Sequence, residues 1–322
     1  MMNKSIAFTI CSNNYLAQAF SLKESLASTN PDIQFYIGLV DDPIPGMDVE
    51  GLNIHPVRKV VEESAFFQMA GIYNITELST AVKPHYFEYF FEKYSATKVI
   101  YLDPDILVFE SFRNLLDLLN GYSVVVTPHF CSPQTDNKEP SNFSILTTGV
   151  YNLGFIAFSK NKESTDFILW WKKTLFNQCY DRFGLFTDQL WVNYITCFCS
   201  KVFVLRDLGY NVANWNLHER TLSVNENGYW VNKDYPLIFF HYSNYSTKLP
   251  ERMAWYNNRY QLADRPDVVP LFTYYIERLQ ANGLDRYSSI PPVYGKKTRK
   301  RSNNKVNKYI VRLLHKVIYK LS

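Results

Sequence analysis

The chain has 322 residues, 47% of them hydrophobic and 16% aromatic, with a formal net charge of +4. That apolar fraction excludes a disordered chain and suffices for one long α/β domain with appendages, or for two domains. The five cysteines, Cys11, Cys131, Cys179, Cys197 and Cys199, are too irregularly spaced for a disulfide framework or a zinc site, and they suit a reducing cytoplasm.

In chain order, residues 6–11 read as a buried strand. Their apolar run is too short to span a bilayer and lacks a signal-cleavage pattern, and no other stretch reaches spanning length without charges. A helix is predicted over 16–28, with Leu16, Ala19, Phe20 and Leu26 facing the core, and a second strand over 34–40 stops at Asp41-Asp42-Pro43. Residues 80–94 are helical in character, with Tyr86, Phe87, Phe90 and Phe91 crowding one side. A strand over 98–102 then runs into Asp103-Pro104-Asp105 and a second short run over 106–108. A helix over 114–119, strands over 123–127 and 154–159, and a helix over 164–179 follow. This alternation predicts an α/β fold with a mixed, mainly parallel sheet covered by helices on both faces.

Ligands of such sheets bind beyond the carboxyl ends of the strands. Cys11-Ser12-Asn13, Asp41-Asp42 and Asp103-Pro104-Asp105 all fall at those ends. An Asp-x-Asp triplet is expected about once by chance in a chain of this size. At a strand's mouth, however, its two carboxylates both reach one hard divalent cation and leave room for phosphate oxygens, while Pro104 stiffens the link between them.

With these segments in place, the chain resembles a metal-dependent, retaining glycosyltransferase of GT-A fold, close to the glycogenin and lipopolysaccharide galactosyltransferase family (glycosyltransferase family 8). The resemblance runs over residues 6–245. Phe8-Thr9-Ile10-Cys11-Ser12-Asn13-Asn14-Tyr15 is similar to that family's first strand and nucleotide loop, which implies that Thr9 and Tyr15 frame the base, that the Cys11 backbone faces it, and that Asp42 shares the nucleotide rim. Lys83 resembles the family's basic residue for the donor phosphates, and residues 98–108 resemble its metal-binding strand. Tyr151-Asn152-Leu153-Gly154 and Thr187-Asp188-Gln189 resemble segments beside the donor sugar, which implies reaction-site roles for Asn152, Asp188 and Gln189. Phe239-Phe240-His241 ends like the strand of the third metal ligand, so the implied set is Asp103, Asp105 and His241. The family's Gly and Lys-Pro-Trp continuation is absent, and Tyr242 to Lys248 is a divergent loop that weakens a phosphate role for Lys248.

The implied reaction moves a hexose from a nucleotide sugar, expected to be a UDP-sugar, to a glycan or lipid-linked glycan, with retention. Nitrogen ligation by His241 favours Mn²⁺ over Mg²⁺. The amide- and aromatic-rich stretch 211–216 predicts a substrate-facing role for one of Asn214, Trp215 and Asn216, with His218, Glu219 and Arg220 as charged neighbours. A sugar nucleotidyltransferase would carry a Gly-rich phosphate loop, and Cys11 to Tyr15 contains no glycine. A catalytically inactive, membrane-peripheral nucleotide-sugar-binding protein is the other alternative; the presence of both acids, Lys83 and His241 argues against decay of the site.

Three regions are expected: a glycosyltransferase domain over 1–250, a C-terminal helical extension over 251–295, and a basic tail over 296–322. The tail holds ten Lys and Arg and no acid, so the rest of the chain carries −6. Val306, Ile310, Leu313, Leu314, Val317, Ile318 and Leu321 fall on one helical face, a pattern that suits an anionic membrane surface. The expected location is cytoplasmic, peripheral on the inner face of the cell membrane. Without a base-stacking surface among its basic residues, no nucleic-acid partner is expected.

Overall fold

A computed structural model describes residues 4–182 and 184–296. Its main sheet contains β1 (Ser5–Cys11), β2 (Gln34–Leu39), β3 (Ile54–Pro56) and β4 (Lys98–Leu102). After β5 (Ile106–Val108) has left for a second sheet, β6 (Val124–Pro128), β7 (Tyr151–Ser159) and β8 (Val202–Val204) complete it. The spatial order is β3-β2-β1-β4-β7-β6-β8. Every neighbouring pair is parallel except the two that β7 makes, with β4 and with β6. Strand order therefore reverses beside β1 and β4, and the crevice for a ligand opens between their carboxyl ends.

Side-chain alternation along the strands feeds two cores, as a sheet covered on both faces requires. Ala7 and Cys11 of β1 and Ile100 and Leu102 of β4 join one core, under α1 (Leu16–Thr29). Ile6, Phe8, Val99 and Tyr101 join the other. That second face is covered by α2 (Glu63–Ile72), α3 (Ile75–Ala81) and α4 (Lys83–Lys93). Phe8 is fully buried among Phe87, Phe90, Tyr86 and Tyr101, its centroid 4.9 Å from Phe87 in an edge-on contact. The helix predicted over 80–94 is divided at Val82, which ends α3 and precedes α4. Pro84 is the reason: it has no amide hydrogen for an interior helical bond but is tolerated in a first turn.

Along the rest of the chain, α5 (Arg113–Leu118) sits on the α1 side, and α6 (Asn142–Thr148) lies at the carboxyl rim. α7 (Lys162–Gln178), begun by an Asn161–Ser164 capping box, and α8 (Ile195–Phe198) lie on the α4 side. β9 (Val212–Ala213) precedes an antiparallel sheet of β10 (Leu222–Asn225), β11 (Gly228–Val231) and β12 (Tyr235–Pro236). β13 (Phe239–His241) runs antiparallel to β5 and parallel to β9. Finally α9 (Val269–Ala281) and α10 (Leu284–Ser288) pack into the core that contains α1. Among the described residues, no helix is long and apolar enough to cross a membrane.

Candidate active site

Asp103 and Asp105 owe their closeness to a turn. The Ile106 amide donates to the Asp103 carbonyl (3.2 Å), with Pro104 at the turn's second position, where its fixed φ is favoured. Because β5 pairs with β13, His241 lies opposite Ile106, one residue from Asp105. The Tyr242 amide donates to the Asp105 carbonyl at 2.8 Å and holds that register. His241 Nε2 stands 3.1 Å from Asp105 Oδ1 and 3.7 Å from Asp103 Oδ2.

The three residues each offer one ligand atom, all within 4.8 Å of one another. Desolvation raises the Asp103 carboxyl above its usual range against the pull of Lys83 and His241, and Asp105 adds to the rise. Burial lowers the basicity of His241, but the charges of Asp105 and Asp103 outweigh it and the net shift is upward. Two carboxylates and an imidazole nitrogen this close are a donor set that fits a divalent cation. The other ring nitrogen of His241, Nδ1, is buried and has no hydrogen-bond partner. Gly154 makes room for this ring: a Cβ there would stand 2.3 Å from His241 Cε1.

A second group lies beneath this trio. Lys83 opens α4, and its side chain is buried, with Nζ 2.6 Å from Asp188 Oδ2, 3.0 Å from the Leu153 carbonyl oxygen and 4.1 Å from the Tyr101 ring centroid. Asp188 follows Thr187, a β-branched residue at φ +43°, which is a strained backbone of the kind found at functional sites. Gln189 accepts from the Leu153 amide (2.9 Å) and donates to the Thr148 carbonyl (2.8 Å), so its amide plane is fixed. Asn152 accepts from the Gly154 amide and from Asn211 Nδ2, each at 3.2 Å. Lys83, Asp103, Asn152, Asp188, Gln189 and His241 thus line one cavity of about 640 Å³.

Thr9, Cys11, Tyr15 and Asp42 lie at the adjacent ends of β1 and β2. Thr9 Oγ1 is buried without a partner; the Cys11 carbonyl accepts from the Val40 amide, and burial pushes its thiol pKa up. Tyr15 is exposed at the rim. Asp41 accepts from the Asn13 amide (2.8 Å) and the Val293 amide (2.7 Å), joining the loop after β1 to the C-terminal segment. Asp42 accepts from the Tyr294 hydroxyl at 2.8 Å and lies 3.7 Å from Arg58. The Asp42 carboxylate is therefore engaged by the chain's own C-terminal segment.

Of the three candidates in 211–216, Trp215 is the one that lines the cavity, edge-on to His241 at 5.2 Å, with its indole N–H buried and unpaired. Asn216 instead bonds the Ala213 amide and the His129 and Asn211 carbonyls, and Asn214 bonds the Ser243 carbonyl. His218 and Glu219 brace Ser132 and Cys131, and Arg220 donates to the Asn211 carbonyl. Lys248 is exposed. Sequence reasoning missed His129, Ser144, Thr148, Trp255 and Tyr256, all in the cavity wall. Only His129, just past the end of β6, carried a signal like that of the other strand ends.

Residues 6–180, over half of the chain, match glycosyl transferase family 8. The uncharacterized protein YfnF of Bacillus subtilis (strain 168) is 26% identical over 251 residues, covering 74% of this chain and 80% of that protein. YfnD of the same strain is 21% identical over 286 residues, covering 84% and 88%. The crystal structure of the galactosyltransferase LgtC with donor and acceptor sugar analogues covers 89% of this chain and 97% of its own, with a TM-score of 0.52 at 17% identity, a likeness of fold. Sheet order, the acid pair at the switch point and the family match agree: the chain belongs to glycosyl transferase family 8, and it is a glycosyltransferase with the GT-A fold.

Proposed function

We propose that the protein transfers a hexose from a UDP-sugar to a glycan or lipid-linked glycan, with retention, using a divalent cation, Mn²⁺ ahead of Mg²⁺. The observation that carries this reading is the convergence of Asp103, Asp105 and His241 at the β1–β4 switch point, above a buried Lys83–Asp188 pair. A cation held by Asp103, Asp105 and His241 would supply positive charge to the departing nucleotide diphosphate. Lys83 adds a fixed positive charge in a desolvated place, where it needs no reorganisation as charge develops. Asp188 and Gln189 hold the donor sugar, Gln189 with an amide already oriented by Leu153 and Thr148. The acceptor hydroxyl then attacks the anomeric carbon from the face the diphosphate leaves, giving its proton to the departing phosphate.

The basic tail supports a further part of the proposal, a cytoplasmic enzyme held at the inner face of the membrane beside a lipid-linked acceptor. Residues 297–322 lie outside the described part of the chain, and their ordered sequence pattern of apolar and basic positions is the support. The test of the chemistry is Mn²⁺-dependent hydrolysis of a panel of UDP-sugars. Activity is expected with at least one sugar and lost in Asp103→Ala and Asp105→Ala; full activity in either variant overturns the metal assignment.

A further inference from the structure

Trp255 is the most unusual side chain of the cavity wall, because it is 73% exposed while lining the same cavity as Asp103 and His241. Its indole is not loose. Nε1 donates to Asn244 Oδ1 at 3.1 Å, and Asn244 sits at φ +58°, a conformation that asparagine tolerates better than most residues. Tyr256 meets the indole edge-on at 5.7 Å.

The loop carrying Trp255 is tied to neighbouring loops. Asn257 Nδ2 donates to the Asn214 carbonyl at 2.9 Å. Buried Arg259 donates to Asp136, to Gln134 Oε1 and to the Lys138 and Pro140 carbonyls, which ties loop 134–140 to loop 252–259. Glu139, Pro140 and Ser144 line the same cavity, and Glu139 is bonded to Asn258 of the Trp255 loop.

Resting on the glycosyl-transfer reading, we propose that Trp255 is the stacking platform for a neutral pyranose ring of the acceptor. An indole whose N–H is already satisfied recognises a ligand through its flat apolar face, and a pyranose presents such a face in its axial C–H groups. Glu139, whose carboxylate accepts from Ser141 and Ser144, lines the same cavity and has acceptor capacity left for an equatorial sugar hydroxyl. The same Glu139 carboxylate disfavours an anionic lipid headgroup at this spot. A pre-held ring also loses little freedom on binding, which is why a rigid aromatic suits the task.

The test is saturation-transfer NMR on the full chain with UDP, Mn²⁺ and a panel of methyl pyranosides in the gluco, galacto, manno and N-acetylglucosamine series. At least one is expected to show saturation of its ring-face protons. That signal falls by about fivefold or more in Trp255→Ala and persists in Trp255→Phe, in line with the worth of a single aromatic contact. Asn244→Gly, which keeps the left-handed backbone and removes the indole's anchor, gives a smaller fall. No signal from any member of the panel, or an equal signal in Trp255→Ala, overturns the platform. A loss of sedimentation with phosphatidylglycerol vesicles in Trp255→Ala, at unchanged sugar saturation, overturns it in favour of a lipid contact. Metal-dependent UDP binding is read in the same samples. Its absence in the wild type removes the transfer reading itself, whereas normal UDP binding with unaltered saturation removes only the platform.

Discussion

Gly154 and His241 occupy one another's space: a methyl group on Gly154 would stand 2.3 Å from Cε1 and 2.6 Å from Nδ1 of the imidazole. Neither contact is relieved by a flexible chain end, since the ring is buried and edge-on to Trp215. Gly154→Ala is therefore expected to push the imidazole away from Asp105 while the strand ladder survives. Metal-dependent activity should fall by about 10- to 100-fold or more, the range for disturbing the support of a ligand. Circular dichroism should remain that of the wild type. Unaltered Mn²⁺ dependence would mean that His241 is not a ligand.

Lys83 and Asp188 form a buried pair, with side chains 2% and 3% exposed. Removing one partner leaves an uncompensated buried charge, which costs about 3–5 kcal/mol. Lys83→Ala and Asp188→Ala should each show such a loss in denaturant unfolding. The double variant Lys83→Met/Asp188→Leu should recover much of it while remaining inactive. If the single variants unfold like the wild type, the pair does not exist in solution.

His129 supplies a pH dependence of stability. Burial pushes its pKa down to about 4 from an ordinary 6.5, so the folded protein holds it neutral where the unfolded chain protonates it. The sign follows: as pH falls below 6.5 the unfolded state takes up the extra proton, and stability declines until about pH 4. The decline attributable to this group is up to about 3 kcal/mol, at roughly 1.4 kcal/mol per pH unit. His129→Gln should flatten the curve in that window, measured by urea unfolding at several pH values. An unchanged slope would contradict the assignment.

Membrane association through the tail is tested by comparing the full chain with one ending at Gly295 in sedimentation with phosphatidylglycerol vesicles. Each basic residue near such a surface contributes on the order of 1 kcal/mol. Ten of them should make binding strong at low salt and weak at high salt. Equal binding by the shortened chain would place the attachment elsewhere.

Much of this was legible in the sequence because it is local. The run before Asp103, its proline-stiffened turn and the β–α alternation need only near neighbours, and they gave the α/β class and the strand-end position of the acids. Pro84 is a local signal for the break between α3 and α4, which the apolar side of 80–94 alone does not reveal. Non-local pairing was harder to read. His241 reaches Asp105 only because β5 abandons the main sheet for β13, and no residue in 106–108 announces that choice. The register of β13 on β9 likewise turns Trp215, not Asn214 or Asn216, towards the cavity. Asp42 looked free in the sequence, yet Tyr294, from the far end of the described chain, bonds its carboxylate.

The central claim is that Asp103, Asp105 and His241 hold a divalent cation on which nucleotide binding depends. Titration calorimetry of UDP into the full chain, with and without Mn²⁺, tests it most directly. The account predicts binding with Mn²⁺, loss of binding with chelator, and no metal-dependent heat in Asp103→Ala or Asp105→Ala. UDP binding that ignores the metal, or that is undiminished in both variants, would contradict it.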